Sequence, residues 1–463
     1  MDDALLLSRI QFAFVISFHI LFPAFTIGLA SWLAFLEGMY LWRKDAAYRE
    51  LYFFWLKIFA VSFGMGVVSG IVMSFQFGTN WSRFSEAAGN ILGPLLSYEV
   101  LTAFFLEAGF LGVMLFGWRR VSPRVHFFCT IMVALGTLLS TFWITSANSW
   151  MHTPAGYELH DGVFVPVDWW AVVFNPSFPW RLVHMALAAF LTTAFVIGGV
   201  AAAYLLRGRF VPEATRMLRL SVLFVVLTVP AQIFAGDQQG LVVAEYQPAK
   251  LAAMEGHWHS DGPVPLILFA WPDADAERNH YELAIPHLGS VILTHSWTGE
   301  VKGLSEFPRT DRPPVLPVFW AFRIMVGIGS AMLALAAAGL LLLRRDAFVR
   351  ARWYLHAWRL MLPSGFVAVL AGWFTAEIGR QPWVVYGLLR TSDAHSGVGA
   401  GSVLTSLIAF ACVYVVVFGA GLWFIVQLVK KGPAAVEPPE TEGGEKTAAR
   451  PLSVPEAVED PKA

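Results

Sequence analysis

Four side chains whose chemistry suits iron sit inside apolar stretches of this chain: His19, His184, Met325 and Glu377. Each lies in a run long enough to cross a bilayer, where a polar or ionisable group is costly and usually functional. His and Met are common axial ligands of haem iron, and a buried carboxylate serves where a site must stay reactive. A membrane chain with this set is suited to moving electrons more than solutes. Each residue also has an ordinary reading. A lone membrane His hydrogen-bonds at helix interfaces, Met325 fills an irregular gap, and Glu377 pairs with Arg380 three residues on along the same face. Pro23 favours a special role for His19, because its missing N–H frees the carbonyl of residue 19 in a local kink. The set carries the argument.

The elements that hold these residues follow from composition. The chain is 57% hydrophobic and 14% charged, with a mean hydropathy of +0.59, outside the range of ordinary soluble domains. About 20 apolar residues cross the hydrocarbon core. Nine such spans are expected, at 10–42, 52–78, 94–118, 126–150, 181–206, 217–236, 316–343, 353–379 and 402–429. The fold class is all-α, a polytopic membrane helical bundle. Arg43, Lys44 and Arg49 follow the first span, Arg119, Arg120 and Arg124 the third, and Arg207, Arg209, Arg216 and Arg219 the fifth. Arg344, Arg345, Arg350 and Arg352 follow the seventh, and Lys430 and Lys431 the ninth, whereas Met151 to Trp180 holds no Lys or Arg. The positive-inside rule then puts the N-terminus on the periplasmic side and the C-terminus in the cytoplasm, and Asp2 and Asp3 fit that. No small-residue cleavage site follows a short apolar region, so the first span reads as retained.

Four segments result: residues 1–236 with spans one to six, a polar outer loop at 237–315, spans seven to nine at 316–431, and a tail at 432–463. The loop is too long for a simple connection and is a functional candidate. The tail, rich in Pro, Glu, Ala and Gly, reads as disordered. Both cysteines, Cys129 and Cys412, fall inside spans, which removes disulfides, zinc sites and iron–sulfur clusters. No C-x-x-C-H occurs, so any haem is held by coordination alone. Nothing points to nucleic acid.

With this topology His19, His184, Met325 and Glu377 gather in the outer half of the membrane, within about two turns of the outer ends, His19 somewhat deeper.

These residues also carry a family resemblance. Arg9-Ile10-Gln11-Phe12 with His19, Phe75-Gln76-Phe77-Gly78-Thr79-Asn80-Trp81, Phe322-Arg323-Ile324-Met325 and Gly372-Trp373-Phe374-Thr375-Ala376-Glu377-Ile378-Gly379-Arg380-Gln381-Pro382-Trp383 resemble subunit I of the cytochrome bd quinol oxidases. The resemblance runs from the first span through the ninth. It implies three haems: a low-spin haem b on His184 and Met325, and two high-spin haems on His19 and Glu377, a haem b with either a haem d or a further haem b. Which of the two holds which haem stays open. Trp373 would lie among the haems, and Arg323, Arg9 and Arg380 would compensate propionates; for Arg9 snorkelling to the headgroups is an equal alternative.

The same resemblance implies a proton route from the cytoplasm through Lys57, Ser140, Glu107 and Glu99. Glu99 and Glu107 also stand on their own, because bare membrane carboxylates are hard to explain otherwise. They lie about 12 Å apart along the third span and within a quarter turn of one face. Lys57 reads equally as snorkelling. Gly236-Asp237-Gln238-Gln239-Gly240 opens the outer loop, where Lys250 and Glu255 match quinol-oxidation residues of the family. Without the resemblance that segment reads as a solvated amphipathic turn. The loop's length resembles the short-loop, cyanide-insensitive-type branch.

A homologous second membrane subunit, ubiquinol or menaquinol, and O2 are the implied partners, with room for a small single-span subunit, in a bacterial cytoplasmic (inner) membrane. The expectation is a quinol:oxygen oxidoreductase that oxidises quinol outside, reduces O2 to water with cytoplasmic protons and so generates proton motive force. Two rival classes fit less well. A haem–copper oxidase needs more histidines than His19 and His184, read as the two lying well inside spans. A proton-coupled secondary transporter would use Glu99, Glu107 and Lys57 but leaves Met325 without a role. A reduced-minus-oxidised spectrum separates the classes.

Overall fold

The computed structural model describes residues 3–260, 262–344 and 347–433. The tail expected at 432–463 lies outside them from residue 434 on. Nine helical segments among the described residues are long and apolar enough to cross a membrane. They are Asp3–Arg43, Ala46–Thr79, Ser82–Phe116, Pro123–His152, Trp169–Leu206, Val211–Tyr246, Val315–Leu342, Arg352–Ile378 and Ala400–Lys431, the first to ninth spans.

The starts are set by local chemistry. Asp45 caps the second span by accepting from the Ala47 amide, and Ser122 caps the fourth by accepting from Val125, with Pro123 in its first turn. Pro23, Pro94 and Pro230 lie inside helices that continue through them, as neighbouring helices allow in membranes. The main apolar core joins Leu29, Leu33 and Leu36 of the first span to Leu51 and Trp55 of the second, Phe195 of the fifth, Val222 of the sixth and Trp358 of the eighth. Trp358 packs so closely on the fifth span that a Cβ at Gly198 would lie 2.3 Å from its ring. The fifth span is the most enclosed of the nine.

Three departures from expectation bear on the site. The sixth helix does not stop at residue 236 but runs to Tyr246, so Gly236–Gly240 is helical and the loop at 237–315 begins inside a helix. The polar Asp237-Gln238-Gln239 stretch suggested an end, yet Val243 beyond it is buried against Leu251 and Met254 and keeps the helix going. The eighth span is two pieces, Arg352–Leu360 and Ser364–Ile378, separated at Pro363. The third contains a π turn, Val100–Phe104, between two α-helical halves.

The segment after the sixth span is built rather than loose. Helix Pro248–Glu255 is buried along its whole length. An antiparallel hairpin follows, Leu266–Asp273 with Arg278–Ile285, pairing Leu266 with Ile285 and Asp273 with Arg278.

Candidate functional site

Three of the four candidate iron ligands rest against a glycine of a neighbouring helix. A Cβ at Gly70 would lie 3.1 Å from His19 Cε1, one at Gly236 3.0 Å from His184 Cε1, and one at Gly372 2.9 Å from Met325 Sδ. Each residue type is thus given room that any larger neighbour would take. His19 Nδ1 lies 3.0 Å from Ser69 Oγ. The Ser69 hydroxyl already donates to the carbonyls of Gly66 and Met65, so its oxygen accepts from Nδ1–H and the Nε2 lone pair is left over, as a metal-binding imidazole requires. His184 Nε2 meets Gln232 at 3.3 Å, while its Nδ1 and the Gln232 Oε1 are buried without partners. An amide turned the other way would accept from Nε2–H and leave one ring nitrogen bare. These three positions fit haem iron. The fifth and seventh spans, which carry His184 and Met325, both pack on the sixth and the eighth.

Glu377 is different. Its Oε1 accepts from Asn148 Nδ2 and His152 Nε2, both at 3.0 Å, and its Oε2 is paired with Arg380. Arg181 donates to Asn148 Oδ1 at 2.5 Å. Both carboxylate oxygens are engaged, so the ordinary reading of Glu377 as partner of Arg380 is what the structure displays. Arg380 keeps Nε and Nη1 buried with no partner, donors of the kind that a propionate takes up. Trp373 is half-buried beside Gly372, and Arg9 lies part-buried in the first turns of the first span.

The segment after the sixth span reaches this cluster. Lys250 Nζ lies 3.2 Å from Gln247 Oε1 and 3.4 Å from His152 Nδ1, one residue removed from Glu377. Burial above all, then the Arg181 and Arg380 guanidiniums, hold the Lys250 amine well below the ordinary lysine range, against the pull of Glu377. Glu255 pairs with Arg323 at 2.8 Å. Arg323 also donates to the carbonyls of Ile267 at 2.6 Å and Met254 at 3.3 Å, and lies over the Phe319 ring. The reading of this segment without the family resemblance does not hold. Lys250 and Glu255 are buried, not on a solvated turn, because the apolar face of Pro248–Glu255 docks on the seventh span. Arg323 is thus engaged by Glu255 and the loop backbone.

Ser140 Oγ donates to Glu99 Oε1 at 2.7 Å. Glu107 is buried against the fourth span, where a Cβ at Gly136 would lie 2.5 Å from its Cγ. The π turn between the two carboxylates takes up one residue, so they sit within about 20° of the same face. Lys57 is half-buried on the second span and feels Lys431 of the ninth.

Sequence reasoning missed His152, Asn148, Arg181 and Gln247, and with them Glu37 and His126 at the opposite end of the fourth span. The count of buried span histidines was too low, since His126 and His152 are each about 1% exposed. They are the fourth and the last residues of the span, where a histidine reads as a rim residue. A signal was present: Asn148 and His152 are spaced i, i+4 and share a helix face.

A family model described as cytochrome bd terminal oxidase subunit I matches residues 7–433. Cytochrome bd ubiquinol oxidase subunit 1 of Bacillus subtilis (strain 168) is 37% identical, over 92% of this chain and 94% of that one. Cytochrome bd-II ubiquinol oxidase subunit 1 of Escherichia coli (strain K12) is 34% identical, over 94% and 98%. Among solved structures, the bd oxidase from Geobacillus thermodenitrificans superposes with a TM-score of 0.87 at 32% identity, covering 93% of this chain and 99% of that chain.

Proposed function

The chain belongs to the cytochrome bd terminal oxidase subunit I family, and from that premise we propose how its residues divide the work of a quinol oxidase. It is a multi-pass membrane subunit of a haem-binding terminal oxidase that uses quinol and O2 and works with a second subunit. The finer assignments are ours: an N-terminus on the periplasmic side of a bacterial inner membrane, quinol oxidation at the outer segment 237–315, and oxygen reduction with protons from the cytoplasm.

The observation that carries this reading is the contact line Lys250–His152–Glu377. It ties the outer segment directly to the cluster beside the eighth span. A quinol leaving as quinone releases two electrons and two protons, and an amine held below its usual range is a base suited to receive the first proton at Nζ. Glu255, fixed by Arg323, supplies a carboxylate for the second.

His184 and Met325 would hold a low-spin haem b, His19 one high-spin haem, and Glu377 with Arg380 the other, a haem d or a further haem b. Bound there, haem supplies one-electron chemistry and, where a coordination position is open, a site for O2. The residues fit it unevenly: His19, His184 and Met325 present bare ligand atoms, while Glu377 must give up Asn148 or His152 to reach iron. Glu99, Ser140 and Glu107 line the third–fourth span seam and are assigned to proton delivery. The alignment with the Escherichia coli relative extends over 505 residues, against 439 with the Bacillus one. That supports a short-loop chain.

Lys250→Ala and Glu255→Ala test the donor site. Both should lower quinol turnover while the haem bands stay unchanged; normal turnover and quinol affinity in both would remove the outer segment from the reaction.

A further inference from the structure

Glu37 of the first span and His126 of the fourth are almost wholly enclosed, about 1% exposed each, and the assignments above use neither. His126 Nδ1 lies 2.7 Å from Glu37 Oε1, and its Nε2 lies 3.2 Å from the Met114 carbonyl of the third span. A carbonyl only accepts, so Nε2 carries a hydrogen. Thr130 donates to Glu37 Oε2 at 2.6 Å, which uses its one hydrogen, so the Tyr52 hydroxyl at 3.3 Å donates to Thr130. Every donor in the group is then spent except across the Glu37–Nδ1 contact. One proton lies there, on the carboxyl or on the ring. Without it, lone pairs of Oε1 and Nδ1 would face each other in a buried site.

The groups around this proton are few. Tyr52 faces it from the second span, Cys129 and Thr130 from the fourth, and the rings of Trp118 and Tyr40 close the side toward the basic rim. No lysine or arginine is among its described hydrogen-bond partners.

Position gives the pair a role. On the fourth span His126, Thr130, Thr137 and Ser140 fall within about 80° of arc. This polar stripe leads from the pair to the Ser140–Glu99 contact. On the facing third span Met114, whose carbonyl receives Nε2–H, lies seven residues from Glu107, about 10 Å along one face. We propose that the Glu37–His126 pair is the entry relay of the proton route, taking protons from the Arg-rich side and passing them along the third–fourth span seam toward Glu107. The proton taken up rests between Oε1 and Nδ1. The next one arriving displaces it along the seam toward Glu107, and each O2 reduced to two waters consumes four. The proposal rests on the assignment of Glu99 and Glu107 to proton delivery.

The test uses the whole oxidase in vesicles, with a pH dye reporting proton uptake from the basic-rim side after an oxygen pulse. Glu37→Gln keeps the shape of the side chain but cannot hold the proton. Uptake and saturated turnover should fall at least about tenfold, with the loss deepening as pH rises, while haem content and anaerobic reduction by quinol stay normal. Unchanged uptake and an unchanged pH profile in a fully haem-loaded Glu37→Gln enzyme would overturn the proposal. Glu107→Gln separates it from its premise: normal uptake there removes the seam altogether, whereas slowed uptake there with a normal Glu37→Gln removes only the entry relay. If Glu37→Gln does not assemble, Thr130→Val decides. It strips one donor from the Glu37 carboxylate, which should slow proton uptake while haem content and reduction by quinol stay normal; unchanged uptake counts against the relay.

Discussion

The fourth span carries a carboxylate–imidazole pair at each end, and the two are built oppositely. At one end His126 meets Glu37 at 2.7 Å among neutral neighbours, with Thr130 and the Met114 carbonyl as the remaining partners. At the other end His152 meets Glu377 at 3.0 Å, but Arg380 pairs with the same carboxylate, Arg181 reaches it through Asn148, and Lys250 approaches the far side of the ring. A carboxylate ringed by cations is fixed in charge and fixed in place. A carboxylate whose partners are an imidazole and a hydroxyl leaves its proton free to move between two atoms. On the proposed topology and roles, the same two residue types would anchor at the periplasmic end and relay at the cytoplasmic one.

The largest effect expected from breaking this contrast is at Glu377. Glu377→Gln leaves Arg380 and Arg181 buried with no anion, and removing one member of a buried ion pair costs about 3–5 kcal/mol. One high-spin haem should be lost or weakly bound, the melting temperature should drop, and oxygen consumption should fall sharply while quinol still reduces the low-spin haem. Haem extraction and a thermal melt measure this. Full haem content, normal oxygen uptake and an unmoved melt would reduce Glu377 to an ordinary helix-end residue. Glu37→Gln, by contrast, should keep all haems.

Met325→Leu is confined to the outer end in a different way. It keeps volume beside Gly372 but removes the sulfur that a Cβ there would crowd at 2.9 Å. The low-spin absorption bands should shift to a five-coordinate form or vanish, and quinol oxidation should stop. A wild-type low-spin spectrum would reject the ligand.

A smaller and pH-graded effect is expected at Lys250. Burial, with the Arg181 and Arg380 guanidiniums, holds its amine below the lysine range, so it becomes the free base at lower pH than an exposed lysine does. As pH falls through that lowered value the amine takes up a proton and can no longer accept one from quinol. Turnover should therefore decline on the acid side, and Lys250→Gln should lower the plateau and abolish that limb. A limb that survives the substitution belongs to another group.

The helices were legible because nine apolar runs of sufficient length leave a membrane chain few alternatives, and the candidate iron ligands His19, His184 and Met325 because such types are conspicuous in such runs. What escaped depended on contacts between distant segments. Gly70, Gly236 and Gly372 read as ordinary membrane glycines until each is seen to face a ligand. Pro248–Glu255 looks solvated in sequence because Lys250 and Glu255 are charged, and only docking on the seventh span reveals that both are buried and satisfied. His126 and His152 stand near span ends in the sequence, yet a span end packed under Trp118 or under helix Pro248–Glu255 is interior.

The smallest effect should come from Lys57, and it sharpens the contrast most at the inner end. Resemblance to the family places Lys57 on the proton route, but the described hydrogen bonds of that route run through Ser140 and Glu99 on the third–fourth seam, while Lys57 lies on the second span near Lys431. A half-buried lysine close to another cation is arranged as a snorkelling residue, its stem along apolar surface and its amine toward the basic rim. Lys57→Met keeps the stem and removes the charge, so proton uptake should change by less than about twofold and its pH profile should keep its shape. A loss equal to that of Glu37→Gln, with Glu37→Gln itself unaffected, would transfer the entry point from the first and fourth spans to the second, and the inner carboxylate–imidazole pair would then be an anchor like the outer one.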